Sequence, residues 1–94
     1  MSTEPQPTLD PSSFFALVTS LGAQCKILLG LIANPLTGKT EDVDTDRART
    51  LLRTLEMLEA KTRGNLDENE QRYLGAILAD LRMRWVEKAN GENL

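Results

Sequence analysis

Residues 14–32, FFALVTSLGAQCKILLGLI, restrict what this chain can become more than any other stretch, because nineteen residues carry a single charge, Lys26. Phe14, Val18, Leu21, Cys25, Leu28 and Ile32 recur there at steps of three and four, which stacks them on one side of an α-helix. The remaining positions are mostly small or apolar, and a helix of that kind is normally enclosed by others. A bilayer could also enclose it. However, Gln24 and Lys26 lie near its centre, where a lysine costs roughly 2.5–3.5 kcal/mol on insertion scales, and no basic cluster flanks it. The expectation is a buried core helix, with membrane association disfavoured.

The rest of the chain supplies two helices able to cover it. One carries Ala48, Leu51, Leu52, Leu55, Leu58 and Thr62 on one face; the other carries Leu74, Ile77, Leu78, Leu81 and Trp85. Ser12 or Ser13 is placed to cap the first helix, the second is expected to start at Asp44 or Thr45 with Asp44 and Asp46 favourable near the positive end of its dipole, and Asp67 and Glu70 form a capping box at the start of the third. Asn34-Pro35 is expected to end the first helix, since a residue before proline avoids helical angles. Gly64 is suited to cap the second helix in a left-handed conformation, and Asn90-Gly91 marks the end of the third. The fold class is therefore all-α: three long antiparallel helices at about 13–33, 45–63 and 67–89, each about 30–35 Å long at ~1.5 Å per residue, packed as a helical bundle in a homodimer. Ninety-four residues fit one domain, read as 12–90. A disordered tail is expected at 1–11, where prolines and polar residues cannot offset the entropy of ordering, and a disordered C-terminus at 91–94.

Composition narrows the chemistry. Hydrophobic residues are 40% of the chain and aromatics 4%, so the core must be built from aliphatic side chains. Glu4, Asp10 and Glu92 lie at the ends, which leaves eleven acidic and eleven basic residues between 14 and 89. A neutral body lacks the broad positive field of a nucleic-acid or anionic-lipid binder. Histidine is absent, which removes the usual general base and the commonest metal ligand at neutral pH. Cys25 is the sole cysteine, so no intrachain disulfide forms, and its place on the apolar stripe suits a buried, inert thiol. With no basic and apolar leader at the start, a cytoplasmic location is expected.

The segment 33–40, ANPLTGKT, matches the loose form of a phosphate-binding signature. Its context does not: the preceding segment reads as a helix, Pro35 removes a donor, Glu41 and Asp42 put negative charge where a phosphate would sit, and no strand pattern follows. Nucleotide binding is disfavoured. The loop reads instead as a turn at Thr37-Gly38 with Leu36 anchored on the core. The run Asp42, Asp44, Asp46 imitates the first ligands of a calcium loop but lacks the required glycine and glutamate further on, and Glu56 with Glu59 lacks the histidines of a carboxylate di-metal site. No catalytic, cofactor or metal constellation emerges, so the chain is read as neither an enzyme nor a cofactor carrier.

Two candidate surfaces remain. Ala16, Thr19, Ser20, Ala23 and Gly30 form a small-residue face on the first helix, where two backbones could approach closely, and they are read as a self-association face of a homo-oligomer. Lys39, Arg49, Arg53, Arg82 and Arg84 are the candidate partner-binding residues. The leading reading is a protein-protein interaction or structural module, self-associating through the first helix, with an unidentified protein as partner. The alternative is a nucleic-acid-associated regulator using the arginines of helices two and three. That use is disfavoured because Trp85 would have to leave the core to stack on bases.

The segments LVTSL at 17–21, LGLI at 29–32, NPLTGKTE at 34–41 and LEMLEAKTRGNL at 55–66, together with Gln24 and Leu81-Arg82, resemble a family of short bacterial proteins known as a domain of unknown function. The resemblance covers roughly residues 14–87. It implies no activity, cofactor or catalytic residue, but it makes NPLTGKTE a recurrent loop of a helical protein rather than a nucleotide signature.

Overall fold

The computed structural model describes residues 10–92, and among them are three helices and no strand: α1 (Phe14–Leu28), α2 (Thr45–Lys61) and α3 (Glu68–Glu92). Residues 1–9 of the expected tail, and 93 and 94 of the expected C-terminus, lie outside the described residues. Every helix touches the other two. Their shared core is Val18, Cys25, Leu28 and Leu29 from the first third of the chain, Ala48, Leu52 and Leu55 from α2, and Leu74, Leu78 and Leu81 from α3. Leu29, Leu55, Leu74, Leu78 and Leu81 expose no more than a trace of surface. At roughly 1.5–3 kcal/mol per leucine removed from water, they are the main source of cohesion. The core has no buried polar or charged side chain among the described residues.

A few polar contacts fix the angles at which the aliphatic faces meet. Between α1 and α3, the Thr19 and Tyr73 hydroxyls are hydrogen-bonded at 2.5 Å, and the Phe15 and Tyr73 rings lie 5.5 Å apart and tilted. The two helices approach at Gly22, where an added Cβ would already touch Ile77 Cγ2 at 3.4 Å. Between α3 and α2, the Trp85 indole N–H donates to the Thr45 carbonyl at 2.8 Å, and Arg82 donates through Nε and Nη2 to one Glu56 oxygen at 3.1 and 3.0 Å. Between α1 and α2, the Cys25 thiol donates to the Ala48 carbonyl at 3.5 Å.

The helix starts follow the sequence signals. The Ser13 hydroxyl accepts from Ala16 N–H at 3.1 Å, and the Asp44 carboxylate accepts from Arg47 N–H at 3.0 Å. Asp67 and Glu70 close a reciprocal capping box, Glu70 N–H to Asp67 at 2.8 Å and Asp67 N–H to Glu70 at 2.9 Å.

The helix ends do not follow them. α1 stops at Leu28, well before Asn34-Pro35, because Gly30 takes a left-handed conformation with φ 71°. Gly30 N–H donates to the Ile27 carbonyl at 3.0 Å and Leu31 N–H to Lys26 at 2.9 Å, the paired bonds of a Schellman cap, which satisfy carbonyls that a helix end otherwise leaves orphaned. Past Thr62, the C-cap of α2, Asn65 N–H closes a turn onto the Thr62 carbonyl at 2.8 Å. Gly64 has the expected positive φ but stands two residues beyond the cap. α3 runs through Asn90-Gly91 to Glu92. The lengths therefore do not match: 15, 17 and 25 residues correspond to about 22, 25 and 37 Å.

Gly30 is thus a structural hinge point. A Cβ there would meet Val43 Cγ2 at 3.2 Å in a backbone conformation that L-residues adopt at a cost of about 1–2 kcal/mol. Gly30→Ala is expected to lower unfolding stability in urea by about 1–3 kcal/mol. Gly75→Ala, in α3 with open space around it, is expected to raise stability by up to ~1 kcal/mol.

Candidate functional site

With α1 ended early, residues 29–44 form one long loop. Its base is sealed by a 2.7 Å bond from the Asp44 N–H to the Leu28 carbonyl, so the ends lie together as in a compact Ω-loop. The Ala48 carbonyl that receives the Cys25 thiol proton lies one turn further on, and the Trp85 bond to Thr45 clamps the same first turn of α2. The loop is therefore mounted on the best-tied corner of the fold.

Asn34 organises the loop. Its side-chain oxygen accepts from Leu36 N–H at 2.9 Å. Its carbonyl accepts from Thr37 N–H at 3.1 Å and Gly38 N–H at 2.7 Å, and its own N–H donates to the Lys39 carbonyl at 2.9 Å. Its amide nitrogen also bonds to the Glu41 carboxylate. Lys39 N–H is used by the Thr37 hydroxyl at 3.2 Å. A phosphate loop works by offering free backbone N–H groups to the ligand; here the four from Leu36 to Lys39 are all spent on Asn34 and Thr37. α2 begins only at Thr45, with Glu41, Asp42 and Asp44 in between, so no helix dipole is aimed at the turn either.

Leu36 does not anchor on the core as expected: 92% of its surface is exposed. The reason lies in Gly30. Leu31 still packs against the core, but Ile32 and Ala33 are exposed, and the Asn34 turn beyond them binds the Leu36 N–H and leaves its side chain in solvent. Ile32, expected on the core stripe, is displaced for the same reason and is 41% exposed, while Leu29 takes the buried place. Beside Leu36 is a groove of about 370 Å³ with Ile27, Leu28 and Pro35 along it and Glu41 and Arg47 at its polar rim.

The expected self-association face on the first helix is divided by the structure. Ala16 and Ser20 remain on α1 away from the core. Thr19 is half-buried and bonded to Tyr73, Ala23 shares a cleft with Tyr73 and Ile77 of α3, and Gly30 is not on the helix at all. Gly22, which sequence spacing did not single out, is the small residue at the helix crossing; its place one residue before Ala23 hid it.

The expected basic residues do not form a free patch. Arg82 is tied to Glu56, Arg84 to Asp80 at 3.0 Å, and the Arg49 guanidinium lies 5.7 Å from the centre of the Trp85 ring. Lys39 and Arg53 are exposed. Trp85 is half-buried, its indole N–H bonded to the Thr45 carbonyl. Among the described residues no three carboxylates or thiols come together in a way that could hold a metal, and no helix is long and apolar enough to cross a membrane.

Cys25 is fully buried, and burial alone pushes its thiol up from 9.0 to about 11. The thiol is neutral and shielded, which is the opposite of a reactive cysteine. Native protein is expected to resist thiol reagents at pH 8 and to react stoichiometrically once unfolded. The folded value lies above the unfolded one. Its contribution is therefore fully present below pH 9 and is lost as pH rises through about 11, a loss on the order of 2–3 kcal/mol that Cys25→Ala abolishes.

In the loop, Asn34→Ala removes two side-chain hydrogen bonds and is expected to cost about 1 kcal/mol and to open residues 34–41 to proteolysis. Lys39→Ala touches only solvent-exposed atoms and is expected to change stability by less than about 0.5 kcal/mol.

A family model described as a domain of unknown function, DUF1844, matches residues 11–87. No curated protein and no solved structure matches the chain.

Proposed function

The chain belongs to the DUF1844 family, a domain of unknown function, and we propose that it works as a non-enzymatic protein-interaction module in the cytoplasm, three antiparallel helices displaying a fixed loop. The contacts of Trp85 with Thr45 and of Arg82 with Glu56, together with the short connection at 62–67, support the antiparallel arrangement of α2 and α3. The observation that carries the reading is Leu36. A leucine with 92% of its surface in water is common enough on a mobile loop, but this one stands on a turn whose N–H groups from Leu36 to Lys39 are bound internally. It also sits next to a groove lined by Ile27, Leu28 and Pro35. A contiguous apolar surface held in one conformation loses little entropy on docking and gains by leaving water. The matching partner is an apolar segment of another protein chain, with polar groups that meet Glu41 and Arg47 at the groove rim.

Self-association is part of this proposal. The α1 face contributes through Ala16 and Ser20, a smaller surface than the sequence spacing implies because Thr19 and Ala23 turn toward α3.

The test is site-specific photo-crosslinking in cells with benzoylphenylalanine placed at residue 36, and at Arg63 as an exposed control. Residue 36 is expected to trap one discrete protein, and Leu36→Asp in a competing copy is expected to leave folding intact but fail to compete. A crosslinking pattern at 36 indistinguishable from that at 63 would contradict the reading.

A further inference from the structure

The long helix α3 has two apolar faces. Leu74, Leu78 and Leu81 are fully buried and Trp85 continues their line, whereas Ala76, Ala79, Met83 and Val86 are exposed. At 100° per residue this second set lies almost opposite the first, and its spacing of three, four and three is that of a coiled-coil seam, with Asn90 as the next position. Met83 is 54% and Val86 48% exposed, and residues 86–92 continue past the contact of Trp85 with the start of α2. The described core already holds α3 as a helix, so pairing along this seam would not have to offset the entropy of forming it.

The charges beside the seam say what covers it. Arg82 lies on one flank; Asp80 and Glu87 lie on the other. In a parallel two-helix pair, a residue on the first flank meets the residue five positions later on the second flank of the other helix, and five positions after Arg82 stands Glu87. In an antiparallel pair like flanks meet, which sets Glu87, and Asp80 with its Arg84 partner, of one copy against the same flank of the other and leaves Glu87 without a basic residue opposite. Arg82 spends Nε and Nη2 on Glu56 and keeps N–H groups for a second acceptor. Glu87 is exposed.

We propose that two copies of this chain pair in parallel along the outer face of α3, through Ala76, Ala79, Met83 and Val86, with Arg82 of each copy meeting Glu87 of the other. The inference rests on the self-association in the functional reading and assigns it mainly to α3 rather than α1. It is independent of the Leu36 surface, so a monomeric protein that still crosslinks through residue 36 defeats this inference together with the self-association, and leaves the docking role of Leu36 standing.

The experiment is sedimentation equilibrium of the full chain at micromolar concentration. The expected mass is twice 10.4 kDa. Met83→Glu is expected to give a monomer with unchanged helical circular dichroism. Glu87→Arg is expected to weaken pairing about tenfold by setting like charges together. Lys61→Glu, at an exposed position of α2, is expected to leave the dimer intact. Ala79→Cys supplies a readout that does not depend on a disruptive change: in a parallel pair the two new thiols face each other and are expected to form an intermolecular disulfide under mild oxidation. A monomeric wild type, a dimer that survives Met83→Glu, or Ala79→Cys chains that do not cross-link would each overturn the proposal.

Discussion

The shape of this molecule depends on where α1 stops. Had that helix run on to Asn34-Pro35, Ile32 would lie on the core stripe and the connection to α2 would be a short turn. Gly30 ends it earlier by taking a left-handed conformation that captures the Lys26 and Ile27 carbonyls, and this turns Leu29 inward to fill the core. Sixteen residues then have to bridge to α2. They do so as a sealed loop because Asp44, the cap of α2, also donates its N–H to the last residue of α1. One glycine thereby sets the length of α1, the loop it opens into and the exposure of Leu36.

The resemblance of the loop to a phosphate-binding signature has a physical resolution. Both kinds of loop use glycine to reach a positive φ and a polar residue to organise backbone N–H groups. In a phosphate loop those groups converge on a ligand; here they converge on Asn34 and Thr37. Asn34 plays the part that a phosphate would play, as the acceptor around which the chain folds. The lysine and threonine that complete the signature, Lys39 and Thr40, are left exposed on the outside of a turn that is already satisfied.

Much of the fold was legible in the sequence where a single local rule decides the outcome. The cap at Ser13, the start of α2 beside Asp44, the capping box at Asp67 and Glu70, and the inward stripes of α2 and α3 follow from side-chain chemistry within one turn, and the structure shows each of them. Helix ends were less legible because two local rules competed. Asn34-Pro35 forbids helix at that point, but Gly30 offers a favourable stop sooner, and only the seating of Leu29 in the core decides between them. At the other end of the chain Asn90-Gly91 reads as a stop, yet α3 passes through it. Leu36 was misread because an apolar residue in a loop suggests burial, while its direction is set by hydrogen bonds to Asn34 that spacing does not reveal. On the small face of α1, Thr19 bonds Tyr73 and Ala23 lines a cleft with Tyr73 and Ile77 of the same chain, contacts that spacing along one helix does not reveal.

The account stands on a loop that is rigid without being buried, and backbone 15N relaxation measures that property directly. Order parameters for residues 34–39 are expected to match those of α2, near the ~0.85 typical of rigid backbone, with the Leu36 methyl groups showing no contacts to the core. Values below about 0.6 across those residues would mean a mobile loop, and the reading of Leu36 as a fixed docking element would be contradicted.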